Sequence, residues 1–261
     1  MNLHKKDILN LALYAGEIML KNGAETYRVE DTIIRICHAY GVSFVESFVT
    51  PTGIFVSMNG QEDEQDALSF IKRIKSRTID LNKVSQVNDF SRKLTESHIS
   101  VVQGMKILKE IDDLPKYHRI LKILSAGSAS AFFGVLLGAT KEDYFSAFLI
   151  ATIVYLAVTL MDRLNASLFM QNAIGGFTAA SLSILAIQAG MGDNTDKIII
   201  SSIMILLPGV AITNAVRDSI SGDLLSGLAR AAEAVIIAIS IAVGVGIVIN
   251  IWINLLGGTL S

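Results

Sequence analysis

Two side chains in the stretch Gly23-Ala-Glu-Thr-Tyr-Arg-Val-Glu30 have the types that proton transfer needs: a hydroxyl at Thr26 and a carboxylate at Glu30. On a helix, residues four apart stack one turn above each other, and such a pair can do general acid–base work. The apolar stripe of the segment that follows is Val29, Ile33, Ile36, Cys37 and Tyr40, and Thr26 and Glu30 fall within or beside it. Either the helix tolerates two polar groups on its buried side or it uses them. Thr26 is also a candidate helix N-cap.

A fuller catalytic set does not assemble. His4, His38, His98 and His118 are scattered and neither HExxH nor CxxC occurs, so the sequence predicts no metal site. The nucleophile elbow GxSxG is absent, and Gly127-Ser-Ala-Ser lies in an apolar run where close packing explains it better. No GxxxxGK[ST] loop is present, which argues against ATP drive from this chain. The one cysteine, Cys37, reads as a small buried hydrophobe. No catalytic residue, metal or cofactor is therefore expected.

Polar residues inside apolar stretches are the stronger signal. Pro208-Gly209 interrupts IMILLPGVAITNAVRD, where proline removes a backbone donor and crowds the carbonyl of Met204. Gln171 and Asn172 lie one turn before Gly175-Gly176 in another apolar stretch. Interrupted helices carrying polar groups at similar depth are how transporters build substrate sites; the bland alternative is a proline kink and amides that glue helices together. Asn214, Arg217 and Asp218 follow. If the helix continues past Val216, Asn214 and Arg217 share a face, and a guanidinium can grip a carboxylate through two hydrogen bonds. The expected substrate pathway is thus Gln171, Asn172, Gly175, Gly176, Pro208, Gly209, Asn214, Arg217 and Asp218.

Composition places these residues in two unlike regions. Of 22 Lys and Arg and 24 Asp and Glu, residues 1–122 hold 17 and 16, and residues 123–261 hold 5 and 8. The net charge of −2 averages over both, and neither half is basic enough for nucleic acid. Apolar stretches at 120–139, 144–161, 166–190, 198–216 and 233–256 each approach the ~20 residues that a membrane helix needs. Lys116, Arg119, Lys122, Arg163, Arg217 and Arg230 fall on one side of five such spans, against Lys141 and Lys197 on the other. The positive-inside rule then puts the N-terminal region in the cytoplasm of an inner-membrane, multi-pass protein, with the C-terminus outside. The N-terminus is amphipathic and lacks the apolar core and cleavage site of a signal peptide. Small residues line Gly127, Ala131, Gly134 and Gly138 in the first span and Ala238, Ala242 and Gly246 in the fifth, as faces for helix packing or oligomer contact.

Residues 1–115 read as helices 5–21 and 25–40, strands near 43–49, 53–58 and 68–75, and helices near 80–94 and 98–111, with Gly23 and Gly41 ending the first two helices. Thr50-Pro-Thr-Gly53 reads as a turn. The expected fold is an α+β cytoplasmic N-terminal domain, 1–115, followed by an all-α membrane domain, 116–261, of about five transmembrane helices.

GAETYRVEDTIIRICHAYG with its TPTG turn, the Pro208-Gly209 pair and the run Arg217-Asp218, Gly222-Asp223, Ser226-Gly227 and Arg230 resemble the threonine/serine exporter family over nearly the whole chain. In the family the N-terminal signature is Gly-Ala-Glu-Thr-x-Arg-Val-Glu, which singles out Glu25, Thr26, Arg28 and Glu30. Fused members carry about ten spans, so a five-span chain resembles the split form, a larger YjjP-like subunit that works with a smaller YjjB-like membrane subunit. The resemblance implies export of a small carboxylate-bearing substrate, threonine and serine or a dicarboxylate such as succinate, by a secondary carrier in the bilayer, with that partner or as a homo-oligomer. For the signature it leaves several roles open: capping the helix, holding the hairpin, docking the N-terminal domain or binding a ligand. Readings from other classes are a membrane-anchored hydrolase using Thr26, Glu30 and nearby histidines, and an accessory protein that moves nothing.

Overall fold

The structure, a computed structural model, describes residues 2–58, 68–97, 99–115 and 117–258. His98, Lys116 and the side chain of His4 lie outside the described residues. The helices are α1 (Asn2–Lys21), α2 (Thr26–Ala39), α3 (Leu81–Glu96), α4 (Val101–Asp112), α5 (Arg119–Leu136), α6 (Lys141–Arg163), α7 (Leu168–Gln188), α8 (Thr195–Ile203), α9 (Gly209–Ile220) and α10 (Leu224–Asn250). The strands are β1 (Val45–Thr50), β2 (Gly53–Met58) and β3 (Leu68–Arg73). By contact the chain divides into two compact units, Met1–Pro115 with Val210–Ala231, and Lys116–Gly209 with Ala232–Ser261.

The first unit is built around α1 and α2. Gly23, at φ +94°, ends α1 by a left-handed step that lets Ala24 N–H reach the Met19 carbonyl at 3.1 Å. Gly41, at φ +78°, ends α2 in the same way, with Val42 N–H on the Cys37 carbonyl at 3.1 Å. The antiparallel sheet has the order β1-β2-β3, and Pro51-Thr52 closes the first hairpin so that Thr50 pairs with Gly53. Period-2 alternation turns Val49, Ile54, Val56 and Met58 inward, where they join Leu11, Ile18, Ile33, Ile36 and Leu108 in one core. Cys37 is fully buried there, and burial pushes its thiol up to about 12. Helix starts follow side-chain caps rather than hydrophobic spacing: Asp80 accepts from Lys83 N–H, and Ser100 forms a capping box with Gln103.

In the second unit, Arg119–Leu136, Lys141–Arg163 and Leu168–Gln188 are each long and apolar enough to cross a membrane, as is the stretch Leu224–Leu255, which starts in the first unit. The remaining apolar stretch is broken. Ile203 passes into a single 3₁₀ turn, Met204–Leu206, Leu207 becomes extended, and α9 leaves at 61° to the segment before it. Proline causes this by forcing the residue before it out of helical geometry. Thr195–Leu206 and Gly209–Ile220 make a fifth span only if the bent pair is counted as one.

Packing in this unit depends on small residues. A Cβ on Gly127 would lie 2.8 Å from the Phe148 ring on α6, and Ser130 donates to the carbonyls of Ala147 at 3.1 Å and Ser201 at 2.9 Å. Gly138, expected in the same stripe, instead ends α5 at φ +67°. On α10, Ala238, Ala242 and Gly246 face outward, the side open to an oligomer contact, while Gly244 packs on the backbone of α7 at Ala173. Asp143 is fully buried and accepts from Thr140 N–H, Asp193 N–H, Asn194 N–H and the Asn194 amide, tying two loops together.

A Cβ on Gly176 would sit 2.6 Å from the Ile241 carbonyl oxygen, whereas one on Gly209 would meet nothing within 4 Å. Gly176→Ala is therefore expected to cost about 1–3 kcal/mol by overpacking. Gly209→Ala should leave the thermal unfolding midpoint in detergent unchanged, and comparing the two midpoints checks the helix contact.

Candidate functional site

The chain enters α2 through Glu25, which has extended backbone (φ −66°, ψ 145°) and whose side chain makes no cap bond. The first N–H groups of α2 thus have no local acceptor. The acceptor comes from far along the sequence: Thr26 N–H donates to Asp218 Oδ1 at 3.1 Å. A carboxylate of α9 caps α2 and meets the positive end of its dipole. Thr26 is consequently the first helical residue and not the N-cap, because Glu25 already holds the extended conformation that a cap requires.

The Thr26 hydroxyl donates to Asp223 Oδ2 at 2.8 Å, and the other Asp223 oxygen accepts from Ser226 N–H at 3.1 Å, starting α10. Gly222, at φ +93°, makes this possible by turning the chain so that Asp223 N–H bonds the Asp218 carbonyl at 2.9 Å. Asp218 Oδ2 pairs with Arg230 Nε at 3.0 Å, and Arg230 Nη2 donates to the Ala24 carbonyl at 2.8 Å. Asn214 donates to the Gly23 carbonyl at 2.9 Å, and Arg217 pairs with Glu25, which also holds Arg28 at 3.1 Å. Ser226 donates to the Val49 carbonyl at 3.4 Å and Glu30 accepts from Val49 N–H at 2.8 Å, so both backbone groups of Val49 on the outer edge of β1 are bonded.

Burial sets the electrostatics. Asp218 is fully buried and Arg230 is 5% exposed. Such a pair is costly to break, because removing one partner strands the other's charge. The Glu30 carboxyl is raised above its ordinary range by burial, with Asp223 and Asp218 adding to the rise and the Val49 N–H opposing it. Burial also works to raise Glu25, but its own backbone N–H, Arg217 and Arg28 outweigh it and hold the group below its ordinary range.

These groups are spent on one another, so the arrangement fastens two distant stretches of chain. The Thr26 hydroxyl faces a carboxylate and not a histidine, and His38 is bonded to the Val42 carbonyl at 2.8 Å. Among the described residues, no group of three or more His, Cys, Asp or Glu is placed to hold a metal ion.

Of the residues read from the sequence, Glu25, Thr26, Asn214, Arg217 and Asp218 come together, with Arg28 and Glu30 bonded at their flanks. Gln171, Asn172, Gly175, Gly176 and Pro208 with Gly209 fall in the second unit. Gln171 donates to the Ala166 carbonyl at 2.9 Å and Asn172 to the Leu168 carbonyl at 2.8 Å. Gly175 faces Leu206, two residues before Pro208, while Gly176 faces Ile241. Asp223 and Arg230 were missed as members of the cluster. Their signal was the Asp218-Gly222-Asp223 spacing, a helix end followed at once by an N-cap.

Asp218→Ala is expected to lower stability by about 3–5 kcal/mol through the stranded Arg230, and Thr26→Val by about 1.5–3 kcal/mol through the lost bond to a charged acceptor. Thermal unfolding in detergent measures both. A raised Glu30 means that the folded state binds its proton more tightly than the unfolded chain does, so stability falls as pH climbs from the ordinary glutamate range through the raised value. Glu30→Gln keeps an acceptor for Val49 N–H and removes the titration. Its stability should match the parent in acid and exceed it once pH passes the raised value, read from unfolding midpoints across pH.

The chain matches the family model described as "Putative threonine/serine exporter" over residues 10–252. It is 25% identical over 234 residues to the "Threonine/serine exporter" of Corynebacterium glutamicum, covering 88% of this chain and 48% of that one. It is 24% identical over 234 residues to the "Probable threonine/serine exporter" of Mycobacterium tuberculosis, covering 89% and 44%. To the "Probable succinate transporter subunit YjjP" of Escherichia coli it is 27% identical over 252 residues, covering 95% and 96%. The chain thus spans less than half the length of the two matched exporters and nearly all of the matched subunit. No solved structure matches it.

Proposed function

The chain belongs to the threonine/serine exporter family, and on that premise we propose that it is one subunit of a secondary exporter of small carboxylate-bearing metabolites. The substrate class is threonine and serine or a dicarboxylate such as succinate, in line with the names of the matched relatives. A separate membrane chain supplies the part that the longer exporters carry in one polypeptide.

The observation that carries this reading is the fastening of Thr26 to Asp218 and Asp223, just beyond the helix break at Pro208. Side chains that touch share one side of a membrane, so the chain between Pro115 and Asn214 crosses an even number of times. Helices α5, α6 and α7 supply three crossings, and the bent α8–α9 pair supplies the fourth. With α10 this supports five crossings and a C-terminus opposite the N-terminal helices. The excess of Arg119, Lys122, Arg163, Arg217 and Arg230 over Lys141 and Lys197 favours a cytoplasmic N-terminal region.

Mechanistically, the break at Leu207–Gly209 frees backbone groups and presents the positive end of α9, which suits a carboxylate. Helix α9 is held at its other end by Asp218, so movement of α1 and α2 bears directly on it. Gln171 and Asn172 belong to the proposed pathway as polar groups of α7, beside Gly175 and Gly176, whose missing side chains admit Leu206 and the α10 backbone.

Uptake of labelled threonine, serine and succinate into proteoliposomes preloaded with the same unlabelled compound tests the proposal. Exchange of at least one compound is expected with both chains present, and Pro208→Ala should reduce it about tenfold or more by straightening the break. No exchange of any of the three by correctly inserted protein would overturn the substrate class.

A further inference from the structure

The α9–α10 hairpin has the polarity of a water-exposed segment reversed. The side turned toward α2 and β1 carries the polar groups: Asn214, Asp218, Ser226 and Arg230 are all buried. The outer side is apolar. Ile212, Val216 and Ile220 recur every fourth residue along α9, and Leu224, Leu225 and Leu228 continue the surface onto α10, with Ile220 81% and Leu228 70% exposed. On segments counted as crossings, a face of this kind is covered by lipid or by another apolar chain.

Hydrocarbon alone suits it poorly. On the same helix the Arg217 side chain is 56% exposed while paired with Glu25, and Thr213 and Ser219 are exposed beside it. A charge and hydroxyls around leucine and isoleucine match a protein interface with an apolar centre and polar rim, where lipid tails would disfavour the charge. The spacing of four along α9 is the ridge that packs into the groove of another helix. More than half of each matched exporter lies beyond the segment that this chain matches, and a chain equivalent to that part is the occupant to which the face is assigned.

We infer that the outer face of the α9–α10 hairpin docks an apolar helical chain equivalent to the uncovered part of the longer relatives. The inference rests on the subunit reading above and assigns it a surface. Docking there would set the partner's helix on the back of the Asp218–Arg230 pair, one helix away from the start of α2.

The test uses the full chain co-expressed with the protein of the same genome that matches the uncovered part of the Corynebacterium glutamicum exporter. A photo-crosslinking residue is placed at Ile220, Leu225 or Leu228, with Phe132 and Leu136 on α5, both exposed, as comparison sites. Adducts with the co-expressed chain should exceed those at the comparison sites by about tenfold, and Leu228→Glu should cut co-purification by about tenfold. The unfolding midpoint of the chain alone should stay unchanged in that variant, since Leu228 packs on the outside. Adducts with lipid only, adducts with a second copy of this chain, equal adducts at both sets of sites, or undiminished co-purification of the variant would each overturn the docking surface. Flux is measured on the same membranes: adducts without exchange of threonine, serine or succinate would sink the exporter reading and leave the surface standing, and exchange without adducts would do the reverse.

Discussion

The buried Asp218–Arg230 pair is the constraint on which the arrangement of the first unit depends. A carboxylate and a guanidinium removed from water cost several kcal/mol each unless their hydrogen-bonding capacity is satisfied. Here each partner also holds backbone: Asp218 takes the first N–H of α2, and Arg230 gives to the carbonyl of Ala24. The pair is therefore tolerable only while α2 begins where it does, and α2 begins there only while the pair supplies its cap. Local helix formation and long-range packing are made conditional on one another.

This interdependence explains the composition of the GAETYRVE stretch. Gly23 turns the chain and offers its carbonyl to Asn214, Glu25 holds Arg217 and Arg28, Thr26 gives both of its hydrogens to carboxylates, and Glu30 fixes Val49 at the edge of β1. Thr26 and Glu30 lie toward the buried side because their partners are there. Both hydrogens of Thr26 hold the joint, the hydroxyl on Asp223 and the N–H on Asp218. The family names point to a transporter and not an enzyme.

Much of the fold was legible in the sequence because it follows from local rules. Glycine at the ends of α1 and α2, period-2 alternation in β1 and β2, and proline at the break in the fourth apolar stretch each act within a few residues. The cluster was legible in its members and not in its assembly. Asp218 is separated from Thr26 by 192 residues, and no periodicity carries information across that distance. Within the chain α7 packs on Gly244 and leaves the row Ala238, Ala242 and Gly246 facing outward, because small-residue spacing marks a face that can pack while the neighbouring helix chooses which face does. The residue type of Thr26 favours the cap position, whereas a cap supplied by another helix leaves no mark in the local sequence.

The amphipathicity of α9 follows from the same chemistry. A helix between two apolar segments would ordinarily turn its few polar residues toward water at its end. Asn214 and Asp218, one turn apart, instead turn toward the α1–α2 junction, where Asn214 donates to the Gly23 carbonyl and Asp218 accepts the first N–H of an α2 start that has no local cap. Once those residues commit to that side, Ile212, Val216 and Ile220 are carried to the opposite side by helical geometry alone. The apolar outer face is thus the geometric consequence of the buried pair, and whatever covers that face completes a structure whose order begins with Asp218 and Arg230.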